Sequence, residues 1–116
     1  MATREDASLL LQVLRWGAES GLDESMRAIF APTFDPAANP MDDPHVGRVL
    51  AYCETVGTLV KHGLLDRELV VDLIWVEGLW ARVGRAGLAI REAANEPRLY
   101  ENFEALVVGS MAASAA

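Results

Sequence analysis

The stretch from Asp43 to Gly63, DPHVGRVLAYCETVGTLVKHG, decides the fold class of this chain. Its apolar residues recur every three or four positions, which is the spacing of one buried face of an α-helix. This stripe consists of Val46, Val49, Leu50, Cys53, Val56, Gly57 and Val60. Asp43 followed by Pro44 is typical of a helix start, and Gly63 is typical of a helix end. A glycine within the stripe, Gly57, favours close packing against a neighbouring helix. The stretch therefore predicts one long, buried helix.

The same spacing continues towards the N-terminus. It predicts a first helix over about Arg4–Glu19, capped by Thr3 and ended by Gly21 in a left-handed conformation. A short helix follows from about Glu24 to Phe30. These two helices precede the long central one.

The spacing also continues towards the C-terminus. Asp66 is predicted to cap a fourth helix that keeps one apolar face to about Ala94, with Gly78 as the place where it bends or splits. The last helix begins at Asn95–Pro97. The predicted fold is all-α, an up-and-down bundle of four main helices plus one short helix, with a core from the first, third, fourth and fifth.

The length of 116 residues predicts a single domain, residues 1–116. Residues 31–43 are predicted to form its long, acidic loop, because proline at this density interrupts helices. That loop contains Pro32, Pro36, Pro40, Asp35, Asp42 and Asp43. The tail, residues 109–116, is predicted to be frayed.

Composition limits the classes of partner. The chain carries a formal net charge of −7, which repels phosphate backbones and anionic lipids, so neither nucleic acid nor membrane is expected as a partner. The apolar runs are too short to span a bilayer, and the N-terminus lacks the features of a signal peptide. The single cysteine, Cys53, cannot form an internal disulfide. We therefore expect a cytoplasmic protein.

No motif for metal, cofactor or catalysis stands out, and none of the three is predicted. His45 and His62 lie at opposite ends of one predicted helix, and no glutamate precedes a histidine by three positions. No serine has a histidine and an aspartate in a recognisable arrangement. A helix-turn-helix around Gly63 would begin its recognition helix with the acidic and apolar residues 66–72, which makes a DNA-associated regulator the weakest reading.

Arg91 is the most informative polar residue. It follows Trp80 by eleven positions, or about three helical turns, so the two share the apolar face of the fourth helix. A buried arginine needs a carboxylate partner, and Glu54 and Glu104 each flank an apolar stripe on their own helices. The pair is either Arg91–Glu54 or Arg91–Glu104. It serves either as an interhelical structural pair or as a polar anchor inside a ligand pocket.

A second apolar strip runs along the fourth helix. Trp75, Leu79, Ala86 and Ile90 lie about 100° from its main apolar face. A helix with two apolar faces is either fully buried or contacts a partner, so Trp75, Leu79 and Ile90 are candidate interface residues. The alternative is that the short helix and the proline-rich loop cover the strip. The arginines at 82 and 85 are predicted to belong to a solvated face.

Several of these residues also carry a family resemblance. The stretch YCETVGTLVKHGLLD (52–66), followed by Leu79–Trp80, Arg91 and YENFEAL (100–106), resembles an uncharacterised bacterial helical family. The resemblance covers about the last two-thirds of the chain. It implies a helical fold and no activity, since that family is a domain of unknown function; some relatives have an N-terminal membrane segment.

The function favoured by the sequence is a non-catalytic module for protein–protein interaction. A homodimer formed through the fourth helix, or a complex with another protein, would use the surplus apolar strip. The alternative is a small-ligand binder or enzyme with a polar pocket around Arg91. These two readings predict different surroundings for Arg91 and for the apolar strip.

Overall fold

The computed structural model describes residues 1–38 and 41–115, with side chains described up to Gly109. The described part is all-α, as predicted, but it contains six α-helices where the sequence predicts five. The helices are α1 (Arg4–Glu19), α2 (Leu22–Ile29), α3 (Pro44–Lys61), α4 (Arg67–Leu73), α5 (Val76–Ala93) and α6 (Glu101–Ala115). A short 3₁₀ turn, Pro36–Ala38, lies in the predicted loop, of which residues 39 and 40 are outside the described part.

Helix α3 is the centre of the bundle. Helices α2, α5 and α6 all pack against it, and its side chains at Val46, Val49 and Leu50 are fully buried. Helix α1 packs against α2 and reaches α3 through one aromatic residue, Tyr52. The core therefore differs from the predicted one, because α2 takes a central position beside α3.

Tyr52 fills the space between α1 and α3. Its hydroxyl donates a hydrogen bond to the carbonyl of Val13 at 3.2 Å, and its ring stacks on Trp16 with 5.2 Å between ring centroids. A Cβ atom added to Gly17 would lie 2.9 Å from this ring. The absence of a side chain at Gly17 thus allows the ring to lie directly against the backbone of α1.

Local side-chain capping sets the starts of α1, α3 and α4, as the sequence predicts. Thr3 and Asp6 form a capping box at α1, Asp43 accepts from the amide of His45 at α3, and Asp66 accepts from the amide of Leu69 at α4. Gly21, with φ 87°, separates α1 from α2, so α2 begins two residues earlier than the predicted Glu24. A residue with positive φ between two helices reverses the chain without a longer loop.

The predicted fourth helix is two helices. The break lies at Ile74, whose backbone is extended (φ −107°, ψ 123°), and at Trp75, which precedes α5. Gly78, the expected break, lies inside α5, where its lack of a side chain leaves room for the indole of Trp75. The extended residue turns Ile74 into the core and Trp75 towards solvent, so burial and exposure alternate across the break.

The last helix begins later than predicted, at Glu101 rather than at residues 95–97. Asn95 and Tyr100 both have positive φ, 52° and 59°, and the segment between them folds back before α6 begins. Helix α6 then continues to Ala115. Ala116, the end of the segment predicted to be frayed, lies outside the described residues.

Helices α3 and α6 approach closely at Gly57. A Cβ atom at this position would lie 2.5 Å from the carbonyl oxygen of Asn102 on α6. We expect Gly57→Ala to lower the free energy of unfolding by about 1–3 kcal/mol, because the two backbones must separate to admit the methyl group. Urea unfolding followed by circular dichroism measures this loss.

Gly47 is the matched control, since it lies in the same helix and an added Cβ there meets nothing within 4 Å. Gly47→Ala should leave the stability unchanged or raise it by up to about 1 kcal/mol, through the higher helix propensity of alanine. Equal stabilities for the two variants would contradict the close approach of α3 and α6.

Candidate functional site

The polar residues singled out by the sequence converge on the start of α6. Glu54, on α3, accepts hydrogen bonds through Oε1 from the backbone amides of Asn102 and Phe103, both at 2.9 Å. Its Oε2 accepts from the side-chain amide of Asn102 at 2.8 Å. The carboxylate thus takes the place of a local cap, and its negative charge lies at the positive end of the helix dipole.

The same contact extends to Thr58. The side-chain amide of Asn102 also donates to Oγ1 of Thr58 at 3.1 Å, and that hydroxyl donates to the carbonyl of Glu54 at 2.8 Å. The partners of the Glu54 carboxylate within the described residues are therefore groups of α6. Glu54 does not pair with Arg91, which was one of the two alternatives.

Arg91 contacts both α6 and the segment that precedes it. Its Nε donates to the carbonyl of Leu99 at 2.8 Å, and its Nη1 lies 3.1 Å from Oε1 of Glu104. The remaining nitrogen, Nη2, is buried and makes no hydrogen bond within the described residues. The guanidinium thus links the end of α5 to the segment before α6 and to α6 itself.

Trp80 belongs to the same junction through packing. Its ring meets Phe103 of α6 edge to face, with 5.0 Å between centroids, and Phe103 is fully buried. Edge-to-face geometry is a favoured arrangement of aromatic rings. Of the four residues that the sequence singled out, Glu104 belongs to α6, and Glu54, Trp80 and Arg91 contact α6 or the segment that leads to it.

The surface beside Arg91 is a shallow depression of about 300 Å³. Glu92 and Glu96 line it together with Arg91, and Arg91 is already paired with Glu104. Three carboxylates near one guanidinium repel an anionic ligand. This depression therefore offers little to the substrate classes that arginine usually recognises.

A different cavity lies between α1, α2, α3 and the α4–α5 break. Its volume is about 340 Å³, and all but two of its lining residues are hydrocarbon or thioether side chains or aromatic rings without a hydroxyl. The lining consists of Leu14, Leu22, Met26, Phe30, Val49, Tyr52, Cys53, Leu73, Ile74, Trp75 and Leu79. No charged residue is among them.

Three side chains of the lining carry a polar group, namely Tyr52, Cys53 and the indole N–H of Trp75. The hydroxyl of Tyr52 donates to Val13, and burial raises the pKa of this group to about 12. Burial also raises the pKa of the Cys53 thiol to about 12, so the thiol is neutral near pH 7. The cavity is consequently predominantly apolar, with no ionised group in its lining.

Two stacked aromatic side chains lie at the mouth of this cavity. Phe30 and Trp75 are nearly parallel, 7° apart, with 6.0 Å between ring centroids, and Trp75 is 69% exposed. Of the other interface candidates, Leu79 is only 3% exposed and Ile90 is half-buried. The predicted strip is thus mostly covered, because Leu79 and Ile90 pack in the bundle, whereas Trp75, the N-cap residue of α5, stays exposed.

Arg82 fixes Phe30 at this position. Its guanidinium donates to the carbonyl of Ile29 at 2.7 Å and to that of Phe34 at 3.2 Å, and it lies 5.8 Å from the centroid of the Phe30 ring. The prediction of a solvated face is therefore wrong for Arg82, although Arg85 is exposed. A cation at the last carbonyls of α2 also interacts favourably with its dipole.

One polar cluster has no signal in the sequence. Arg48 donates to Oγ of Ser25 at 2.8 Å, and that oxygen lies 3.0 Å from Nδ1 of His45. Because arginine can only donate, Oγ of Ser25 accepts from Arg48, and the tautomer of His45 sets the direction of the second hydrogen bond. Ser25 is 0% exposed, so it links α2 to α3 and cannot reach a substrate. Twenty residues separate Ser25 from His45, and no short motif spans them.

Neither a metal-binding cluster nor a membrane-spanning helix occurs in residues 1–38 and 41–115. They contain no group of three or more histidine, cysteine, aspartate or glutamate residues arranged to hold a metal ion. They also contain no helix that is long and apolar enough to cross a membrane.

The sequence pattern of a domain of unknown function, DUF4760, matches residues 3–110. The chain belongs to this family. No curated protein and no solved structure matches it. The expected resemblance to an uncharacterised family is thereby confirmed, and what is known of DUF4760 assigns no activity to the cavity or to the residues around α6.

We expect Arg91→Ala to lower the free energy of unfolding by about 1.5–3 kcal/mol, because it leaves Glu104 and the carbonyl of Leu99 without their charged donor. Arg91→Lys should recover only part of this, since an ammonium group cannot reproduce the planar arrangement of two guanidinium nitrogens. Urea unfolding measures both. Arg85→Ala, an exposed arginine on the same helix, should change stability by less than about 0.5 kcal/mol. Equal losses of stability at both positions would contradict a stabilising role for the contacts of Arg91 with Leu99 and Glu104.

The buried thiol predicts loss of stability in alkali. The pKa of Cys53 rises from 9.0 to about 12 on folding, so above about pH 9 the unfolded chain releases this proton first and unfolding becomes more favourable. Tyr52 adds the same effect from about pH 10. The difference in unfolding free energy between pH 8 and about pH 10 should be smaller in Cys53→Ala than in the native chain. Equal differences would show that the thiol does not contribute.

Proposed function

We propose that this DUF4760 protein is a non-catalytic protein–protein interaction module that self-associates through the mouth of the apolar cavity. The observation that carries the proposal is the exposed, stacked pair of Phe30 and Trp75. Aromatic residues beside a pocket are typical of the residues that contribute most to binding at protein interfaces. Exposure of such a large ring is unfavourable in a monomer that has no partner.

Helix α1 extends this surface. Leu14 lines the cavity, and Leu11, one turn earlier, is 66% exposed. Together with Ala7 and Ala18 they follow the 4-3-4 spacing of a helix that packs against another helix. We define the cavity face as Leu11, Leu14, Phe30, Leu73 and Trp75. It offers both protruding side chains and a cavity on one surface, which a two-fold symmetric dimer requires of its contact.

The non-catalytic character rests on how the polar side chains are used. Glu54, Arg91 and Glu104 are engaged in contacts with α6 and the segment before it, and Ser25 is buried. The alternative, an enzyme or ligand site at Arg91, is not favoured by the acidic surroundings of that residue. Net negative charge disfavours nucleic acid, and the buried, reduced Cys53 suits a cytoplasmic protein.

Light scattering of the native chain and of Trp75→Glu tests the proposal. The native chain should be a dimer, and Trp75→Glu should raise its dissociation constant by at least about 30-fold, because a central aromatic contributes about 2 kcal/mol or more. Leu11→Glu should act in the same direction. A monomeric native chain at high protein concentration would overturn self-association.

Leu88→Glu is the matched control for this experiment. Leu88 is also an exposed apolar residue. It lies about 20 Å from Trp75 along the axis of α5, at a rise of 1.5 Å per residue. The Leu88→Glu chain should have the same dimeric molar mass as the native chain. A loss of association in Leu88→Glu as large as in Trp75→Glu would move the interface away from the cavity face.

A further inference from the structure

The cavity behind Phe30 and Trp75 is a space for a molecule, in addition to being a contact surface. Its volume of about 340 Å³ exceeds the roughly 150 Å³ of an apolar cavity that takes up benzene. It also falls at the lower end of the range of about 300–1,000 Å³ that small-molecule sites occupy. Its dimensions are therefore those of a site for a small ligand.

The floor of the cavity lies next to the central helix α3. Val49 and Cys53 form part of its wall, and they are 0% and 2% exposed on the central helix α3. Leu14 on α1 and Met26 on α2 supply other parts, so three helices and the α4–α5 break enclose it. The space is therefore concave and bounded by side chains of several helices, as is typical of small-molecule sites in helical bundles.

The lining determines the chemistry of the occupant. No ionised side chain lines the cavity, and the hydroxyl of Tyr52 is engaged with Val13. An ionic group moved into this space would lose its hydration without gaining a partner of opposite charge. A neutral hydrocarbon surface, by contrast, gains from leaving water in proportion to the area that it buries.

We propose that the cavity binds a small, neutral, predominantly apolar molecule, such as an aliphatic alcohol or an unsubstituted aromatic compound. This binding goes beyond self-association and does not require it. Phe30 and Trp75 form the entrance, and Arg82 holds Phe30 in place from outside the cavity. The ligand occupies the space lined by α3 and displaces no protein group.

The test uses N-phenyl-1-naphthylamine, a neutral apolar fluorophore, with the full chain. Its fluorescence should rise to saturation at one site per chain. 1-Decanol should displace it, and decanoate, with the same chain length and a negative charge, should do so at least about tenfold less well, because the carboxylate cannot be solvated in the cavity. Both competitors are used below the concentration at which they aggregate. Equal displacement by the two, or no saturable binding, would overturn the proposal.

A pair of matched variants locates the binding. Leu14→Trp replaces a half-buried leucine that lines the cavity with a bulkier indole. Leu88→Trp adds the same indole at an exposed position on α5. Probe affinity should fall at least about tenfold in Leu14→Trp and stay unchanged in Leu88→Trp. Circular dichroism establishes that both are folded. Equal affinity in the two variants would exclude this cavity.

The native chain supplies a measurement that needs no variant. Cys53 is its single cysteine and lines the cavity, so its slow reaction with N-ethylmaleimide can be followed by mass spectrometry. 1-Decanol should slow this reaction, and decanoate at the same concentration should not. An unchanged rate at saturating 1-decanol would contradict binding next to Cys53.

The outcomes separate this proposal from self-association. Probe binding by a monomeric native chain supports the ligand site and overturns the dimer. A native dimer that excludes the probe overturns the ligand site. Probe binding by the monomeric Trp75→Glu chain would then show that a second copy fills the cavity in the native dimer. A dimer that binds the probe supports both.

Discussion

The contact between the Glu54 carboxylate and the first turn of α6 is the interaction on which the bundle depends. Tyr100 precedes α6, and its long aromatic side chain is not one of the short polar side chains that cap helices locally. Glu54 satisfies the amides of Asn102 and Phe103 from another helix instead. One carboxylate therefore caps the N-terminus of α6 and also links α6 to α3.

Two neighbouring features, Gly57 and the contacts of Arg91, support the same contact between α3 and α6. Gly57, one turn beyond Glu54 on α3, allows the backbone of α6 to approach closely enough for the hydrogen bonds to form. Arg91 holds the incoming segment through Leu99 and pairs with Glu104 further along α6. Polar side chains that resemble the components of an active site thus have an architectural role at this junction.

The apolar cavity depends on a different local event, the break between α4 and α5. An uninterrupted helix would carry Trp75 on the same rigid axis as Leu79 and leave one continuous strip. The extended backbone at Ile74 instead directs Ile74 inward, and the small Gly78 accommodates the indole of Trp75. The result is a cavity with an aromatic entrance, which Arg82 completes by holding Phe30. The two candidate functions both follow from this one interruption.

Features set within about four residues were determined by the sequence alone. The helical class, the caps at Thr3, Asp43 and Asp66, and the left-handed turns at Gly21 and Gly63 all follow from local spacing and local hydrogen bonds. The tertiary structure decided the rest, because it depends on groups far apart in the chain. Glu54 meets Asn102 across 48 residues, and Arg82 meets Ile29 across 53. No periodicity encodes such a distance; only the packing of whole helices brings those atoms together, and the cavity is the space that this packing leaves.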